Sequence, residues 1–289
     1  MQIVTDSAMD LYLPEEQTNG VNITVVPQLI TLEGKTYRSG VDISSARLYQ
    51  LLASTRSFPV TSLPSVSDFT ATYRRLAAKD PDILSIHVCS DLSGTFNTAR
   101  IAADMTPEAN ITLIDSRSLS VVLGWQVAAA ARAIHAGWAV KPILEMIEHI
   151  HRVSEILLTM DDLRYLIHGG RVGHLKGLLA SVLNIRPLLC LDHISGKLNQ
   201  LGLARTFKGA LNSMLDWVAK SIPLGSDLRV QAGHSNNPQG MTLLREKMQQ
   251  IYRCHWLPDA ILSPVVGAHA GPTLVGMAYA PESAFKGIP

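Results

Sequence analysis

The chain has 289 residues, 47% of them hydrophobic and only 17% charged, which suffices for one large or two ordinary domains with real cores. Its 25 basic and 24 acidic side chains nearly cancel, which argues against nucleic acid or an anionic membrane as an electrostatic partner. The longest apolar runs fall short of a membrane span, and the opening "MQIVTDSAMD" lacks the basic and apolar regions of a leader, so a cytoplasmic protein is expected.

In chain order, "IVTDS" is a first strand that ends in hydroxyls. "VTSLPSVSDF" places Thr61 and Ser62 just ahead of a helix starting near Ser65 or Ser67. "ILSIHVCS" (83–90) reads as a buried strand and "TFNTARIAADM" as the helix after it, with Ser93 as its N-cap. "NITLIDS" (110–116) is the next strand, followed by the alanine-rich helix "GWQVAAAARAIHAG" with Gly137 at C′, and Pro142 suits the first turn of "KPILEMIEHIHRV". Strand alternating with helix predicts an open, mainly parallel α/β sheet.

The second half changes character. "EILLTM" is a strand, "DDLRYLIHGG" a short helix and "GHLKGLLASVLN" another. "IRPLLCLDHISGKLNQLGLA" predicts two strands joined by a turn at Ser195 and Gly196. Helix "TFKGALNSMLDWVAKSI", strand "LRVQAGHS", helix "PQGMTLLREKMQQIY" and strands near "AILSPVV" and "TLVGMAYA" follow, and the tail "PESAFKGIP" reads as partly disordered. The expectation is an α/β domain over 1–158 and an α+β domain over 159–289.

In an open α/β sheet, ligands bind beyond the carboxyl ends of the strands, where helices present unpaired N–H groups. Four segments have that character: Thr5–Asp6–Ser7, Thr61–Ser62, Ser93–Gly94–Thr95 and Asp115–Ser116. N-capping explains each one singly, but four at one sheet edge suit a small anion such as a carboxylate. Gly94 would let that anion approach the backbone. Dinucleotide, P-loop, zinc-protease and nucleophile-elbow motifs are missing. Cys89, Cys190 and Cys254 are too few and scattered for a disulfide framework or a zinc site, and the first two read as buried thiols. His149 and His151 fall on different helix faces and read as solvated. A helix C-cap explains the glycines of "HGGRVGH" as well as a phosphate site does. His269 in "VVGAHAGPT" follows an apolar run among small residues, an unusual setting for a core histidine.

The motifs "IVTDSAMDL", "VVPQLITLEGKTYRSGVDI", "TSLPSVSDF", "SDLSGTFNTARIAA", "IDSRSLSVVLGWQ", "LRYLIHGGRVG", "LNIRPLLCLDHISGKL", "ARTFKGAL" and "VVGAHAGPTLVGMAY" run in order along nearly the whole chain. In number and order they resemble the DegV family of bacterial fatty-acid-binding proteins. The resemblance implies a two-domain α/β fold, DegV-like, that holds one long-chain fatty acid between its domains. It also implies that this chain is the non-catalytic acyl-binding subunit of a fatty acid kinase feeding phospholipid synthesis. A separate ATP-binding kinase subunit phosphorylates the carboxylate, so ATP and magnesium belong to that partner and this chain carries no cofactor. Motif for motif, the carboxylate contacts fall on Thr61, Ser62, Ser93 and Gly94, with His269 nearby. Arg171 and Arg205 match arginines associated with the kinase partner or the phosphorylated product. A monomer is implied, with transient membrane contact allowed. Leu63, Ser39 and Thr273 depart from the residues common in the family (glutamine, aspartate and glycine), so acyl binding is better supported than kinase coupling.

The physics is consistent with such a ligand. A chain of about 16 carbons buries ~14 methylenes at about 0.8 kcal/mol each, roughly 11 kcal/mol gross. Association entropy takes back at least about 4 kcal/mol, which leaves micromolar binding or tighter. The tail supplies affinity, and the hydroxyls set register and keep the carboxylate ionised. Two other readings compete: an acyl-ester or thioester hydrolase built on Ser93, His269 and either Asp115 or Asp6, and a lipid sensor without a kinase.

Overall fold

The computed structural model describes residues 1–10, 20–171 and 185–289. The helix predicted over 173–184 lies outside the described residues. Three sheets organise the rest. Strands β1 (Gln2–Asp6), β2 (Ile23–Val26), β6 (Asp82–His87) and β7 (Asn110–Asp115) form an all-parallel sheet in the order β2-β1-β6-β7. Strands β3 (Leu29–Leu32), β4 (Lys35–Arg38) and β5 (Val60–Ser62) form a small antiparallel sheet beside it.

The third sheet is mixed, in the order β10-β9-β8-β14-β11-β12. Its members are β8 (Glu155–Thr159), β9 (Arg186–Leu191), β10 (Leu198–Ala204), β11 (Asp227–His234), β12 (Arg253–Trp256) and β14 (Val275–Pro281), with β13 (Ala260–Ile261) paired to β11. Because β8 pairs with β9 and β14, the change of sheet falls at Ser154.

The cores show how the layers stack. Helices Val66–Ala77 and Thr95–Asp104 cover one face of the parallel sheet through Phe69, Tyr73, Leu76, Ala99 and Ala102. Helices Phe207–Ser221 and Pro238–Gln249 cover the far face of the mixed sheet. Between the two sheets lies one shared core, filled by helices Ser45–Ser54, Ser120–His135, Val140–Val153 and Pro264–Ala270.

The Ser120–His135 helix is buried along nearly its whole length, as a helix that is apolar all round must be. It packs on β1 and β6, and its Trp125 Nε1 donates to Gln231 on β11 across 2.6 Å. Its alanine run keeps the layers close.

Local chemistry explains the ends. Ser65 forms a capping box with Asp68, Thr206 accepts from Gly209 N–H, and Asn237 accepts from Gly240 N–H ahead of Pro238. Gly137, at φ +76°, terminates the alanine-rich helix as predicted.

Several expectations are corrected. Only Ala260–Ile261 of "AILSPVV" is strand, and Pro264–Ala270 is a helix with proline in its first turn. Short apolar runs cannot be assigned by periodicity alone. The tail is ordered. Glu282–Phe285 is a turn of 3₁₀-helix, Phe285 is buried edge-on to Trp125, and the Pro289 carbonyl accepts from Arg132 Nε. His151 is buried, with Nε2 at 3.2 Å from the His193 carbonyl, and His149 Nε2 lies 2.8 Å from the Ala284 carbonyl. His149 thus anchors the tail, and His151 anchors the turn between β9 and β10. Cys89 is buried and Cys190 half-buried, and burial pushes both thiols up to about 11.

Candidate functional site

A cavity of about 350 Å³ opens between the two halves. Most of its wall is aliphatic, with Ala8, Val88, Leu92, Leu158, Met160 and Leu198 prominent. At one end the wall turns polar, where Gln28, Thr61, Ser62, Ser93, Arg171 and His269 line it. The chemistry is amphipathic. Such a lining suits an apolar body carrying a polar head with few formal charges.

The polar end is assembled from both halves of the chain. Thr61 and Ser62 end β5, which belongs to the small antiparallel sheet and not, as expected, to the parallel one. The Pro264–Ala270 helix packs against β3, β5 and the Ser45–Ser54 helix, and so carries His269 to Thr61. Its first turn is held by Ser39, whose Oγ accepts from Val265 N–H at 3.2 Å, and by Asp10, whose carboxylate accepts from Ser263 N–H. Gly271 ends it at φ +70°, where a Cβ would sit 2.4 Å from the Tyr165 ring, so only glycine fits.

His269 Nε2 lies 2.8 Å from Thr61 Oγ1, a hydrogen bond between residues 208 positions apart. Burial, reinforced by the Arg171 guanidinium, lowers the imidazole to about 4. The ring is therefore neutral at neutral pH, and one nitrogen donates while the other accepts. Among the described residues its buried Nδ1 has no hydrogen-bond partner. Gly169 faces that nitrogen so closely that a Cβ there would lie 2.2 Å from Nδ1. Arg171 ties the two halves together, donating from Nε to the Leu92 carbonyl at 3.2 Å and from Nη1 to the Gly169 carbonyl. Desolvation lowers its guanidinium from the ordinary value.

Ser93 is not the N-cap of its helix. That position is Gly94, with no side-chain cap. Ser93 Oγ instead accepts from Thr95 N–H at 3.3 Å and shares a 2.9 Å hydrogen bond with Thr95 Oγ1. Of the hydroxyls around it, Thr95 is fully buried and Thr98 Oγ1 donates to the Gly94 carbonyl. Those two are structural. Leu63 packs over Gly94, where an added Cβ would come 2.9 Å from Leu63 Cδ1, so the family departure at Leu63 bears directly on the cavity mouth. Thr273 accepts from Asp161 N–H at 3.0 Å, away from the cavity wall.

The other two predicted segments do not reach the cavity. Asp6 is fully buried and its carboxylate is fully engaged. One oxygen accepts from Ala8 N–H and Gln28 Nε2, and the other from Val88 N–H while pairing with His87 Nδ1 at 3.0 Å. Asp115 accepts from Ser90 and Arg117 N–H, and Ser116 donates to the Ser118 carbonyl. With Asp6 on His87, Asp115 on backbone amides, Ser93 on Thr95 and His269 on Thr61, the triad of the competing hydrolase reading is not assembled. Arg205 also stands apart, exposed at the end of β10, its carbonyl accepting from Arg186. Sequence reasoning missed Gln28, whose Nε2 is held by Asp6 and whose Oε1 accepts from Ser7 Oγ. Its only signal was a polar residue directly after the apolar run ending at Val26 and Pro27.

Among the described residues no cluster of three or more His, Cys, Asp or Glu suits a metal ion, and no helix is long and apolar enough to cross a membrane. The family model described as "Uncharacterised protein, DegV family" matches residues 1–282. The chain belongs to the DegV family. A DegV domain-containing protein of Staphylococcus aureus is 31% identical over 275 residues, 95% of this chain and 96% of the relative. A DegV family protein from Thermus thermophilus, described as fatty-acid binding, superposes with a TM-score of 0.86 at 27% identity, covering 97% of this chain and 99% of that one. The Streptococcus pneumoniae fatty acid kinase B3 protein, loaded with linoleic acid, shares the fold at a TM-score of 0.84 and 20% identity, over 97% and 99% of the two chains. The DegV fold thus brings together Thr61, Ser62, Ser93, Gly94, Arg171 and His269 in this chain, and leaves Arg205 outside.

Proposed function

We propose that this protein binds one long-chain fatty acid, with the tail in the aliphatic cavity and the carboxylate at Thr61, Ser62, Ser93 and the Gly94 backbone. The observation that carries this reading is the Thr61–His269 pair among the polar residues of a cavity whose described lining is mostly apolar. A neutral imidazole with its proton on Nε2 donates to Thr61 Oγ1, which turns the Thr61 hydroxyl hydrogen toward the ligand. A carboxylate held by hydroxyls and amides stays ionised and in register without a full counter-charge in contact. Arg171 adds positive potential from the rim. The fatty acids named for the Thermus and Streptococcus proteins support the same class of ligand.

The likeness to the kinase B3 protein supports a further step. The bound acid is presented to a separate ATP-dependent kinase subunit, and this chain supplies orientation and no catalysis of its own. Arg171 offsets charge as a phosphoryl group arrives, and Arg205 is offered to the partner from outside the cavity. Mass spectrometry of protein purified without added lipid, native and then after organic extraction, tests the reading. A single bound mass matching a long-chain fatty acid is expected, and a protein that is empty and also refuses added acid overturns it. Mixing with kinase subunit, fatty acid and ATP then tests presentation through acyl-phosphate formation.

A further inference from the structure

Behind the main cavity lies a second compartment of about 50 Å³. Leu119, Leu158, Val266 and Leu274 line both spaces and so stand between them. The floor of the compartment is the mixed sheet, at an unusual place. Leu158 on β8 pairs with Gly276 on β14, Gly276 with Gly233 on β11, and Gly233 with Ala260 on β13. Residues in register on adjacent strands project from the same face. Two neighbouring strands thus lack a side chain at the same level, which cuts a trough into the face that meets the central helices.

Interior glycines weaken strands and commonly mark the close approach of a ligand or another backbone. The two glycines here differ in cause. A Cβ on Gly276 would lie 2.8 Å from the Leu157 carbonyl and 3.1 Å from Leu158 Cβ, so packing alone requires glycine there. A Cβ on Gly233 would meet nothing nearer than Leu262 Cδ2 at 3.3 Å and Ala260 at 3.6 Å, and Gly233 is not among the positive-φ glycines. The 3.3 Å contact is tight but falls on the far end of a leucine that can give by a few tenths of an ångström, so neither backbone nor packing by itself excludes a side chain at Gly233, which lines the compartment.

We propose that Gly233, with Leu262 across from it, is the length-determining end of the ligand tunnel. The last carbons of the tail pass between these four shared side chains and lie in the trough. This rests on the fatty-acid reading above and adds to it the residues that select the tail. A space of 50 Å³ takes about two chain carbons, judged against the roughly 30 Å³ that one water occupies in the liquid.

The test loads delipidated wild type, Gly233→Ala and Leu262→Ala with an equimolar mixture of saturated fatty acids of even carbon number, and the bound fraction is extracted and weighed by mass spectrometry. Gly233→Ala is expected to move the preferred tail about two carbons shorter. The longest-to-shorter ratio should fall about tenfold, the equivalent of withdrawing about two methylenes from burial. Leu262→Ala is expected to move it longer. The wild-type distribution in both variants would overturn the proposal, and if Gly233→Ala fails to fold, an unchanged Leu262→Ala profile overturns it alone. If wild type also binds no acid, the fatty-acid reading itself has failed and the proposal falls with it.

Discussion

The sharpest test of the polar end is one methyl group at Gly169. This residue caps the Arg164–His168 helix at φ −70° and ψ −7°, a conformation that alanine adopts freely, so the substitution acts through space and not through the backbone. The new Cβ would lie 2.2 Å from His269 Nδ1 and 3.0 Å from Cε1. Ordinary contact needs more than an ångström of extra room, so the imidazole must swing away and release Thr61 from the 2.8 Å hydrogen bond that orients it. A hydrogen bond to a charged group contributes about 1.5–3 kcal/mol, so fatty-acid affinity should fall roughly tenfold to 150-fold. Calorimetric titration of wild type, Gly169→Ala, His269→Ala and the double variant measures it. On the His269→Ala background the added methyl has nothing to displace, and its effect should shrink to a small residue. Wild-type affinity in Gly169→Ala, or an equal loss on both backgrounds, would refute the coupling.

Three further outcomes follow from the same geometry. Thr61→Val keeps the volume and removes the hydroxyl, so affinity should drop about tenfold or more while the gain per added methylene stays as in wild type; plots of log Kd against chain length should be parallel. Asp10 is fully buried on Ser120 Oγ and Ser263 N–H, and desolvation raises its carboxyl from 3.8 to about 6. The folded state therefore holds this proton to higher pH than the unfolded chain. Its stability contribution is complete below about pH 4 and is lost as pH rises through about 6, at a cost of about 3 kcal/mol. In urea titrations the difference between wild type and Asp10→Asn should shift by about that amount between pH 4 and 7, and a pH-independent difference would contradict the assignment. Phe285 is buried against Trp125, with the Arg229 guanidinium 4.1 Å over its ring. Phe285→Ala should cost about 3–5 kcal/mol in denaturant unfolding, and a near-neutral result would show that the tail is not part of the core.

Much of this protein was legible in its sequence because the signals involved are short-range. A proline in a first turn, a serine or threonine ahead of a helix, a glycine at C′ and the alternation of buried strand with helix act within a few residues. They placed most strands and helices correctly, including the turn at Ser195–Gly196 and the alanine-rich helix that fills the shared core. They also brought Thr61, Ser62, Ser93 and His269 under suspicion, because hydroxyls at strand ends and a histidine among small residues stand out locally. What those signals did not contain is who meets whom. Thr61 and Ser93 belong to the N-terminal half and His269 to the C-terminal half, and they line one cavity only because the Pro264–Ala270 helix packs across onto β5. The same four hydroxyl-bearing segments look alike in sequence. Packing turned Asp6 onto His87 and Asp115 onto backbone amides, and left only two of the four facing the cavity. Gly233 and Gly276 lie far apart along the chain and become one trough only through strand register. Local stereochemistry is encoded residue by residue, whereas a cavity is a property of surfaces brought together, and burial and register are decided only when the layers close.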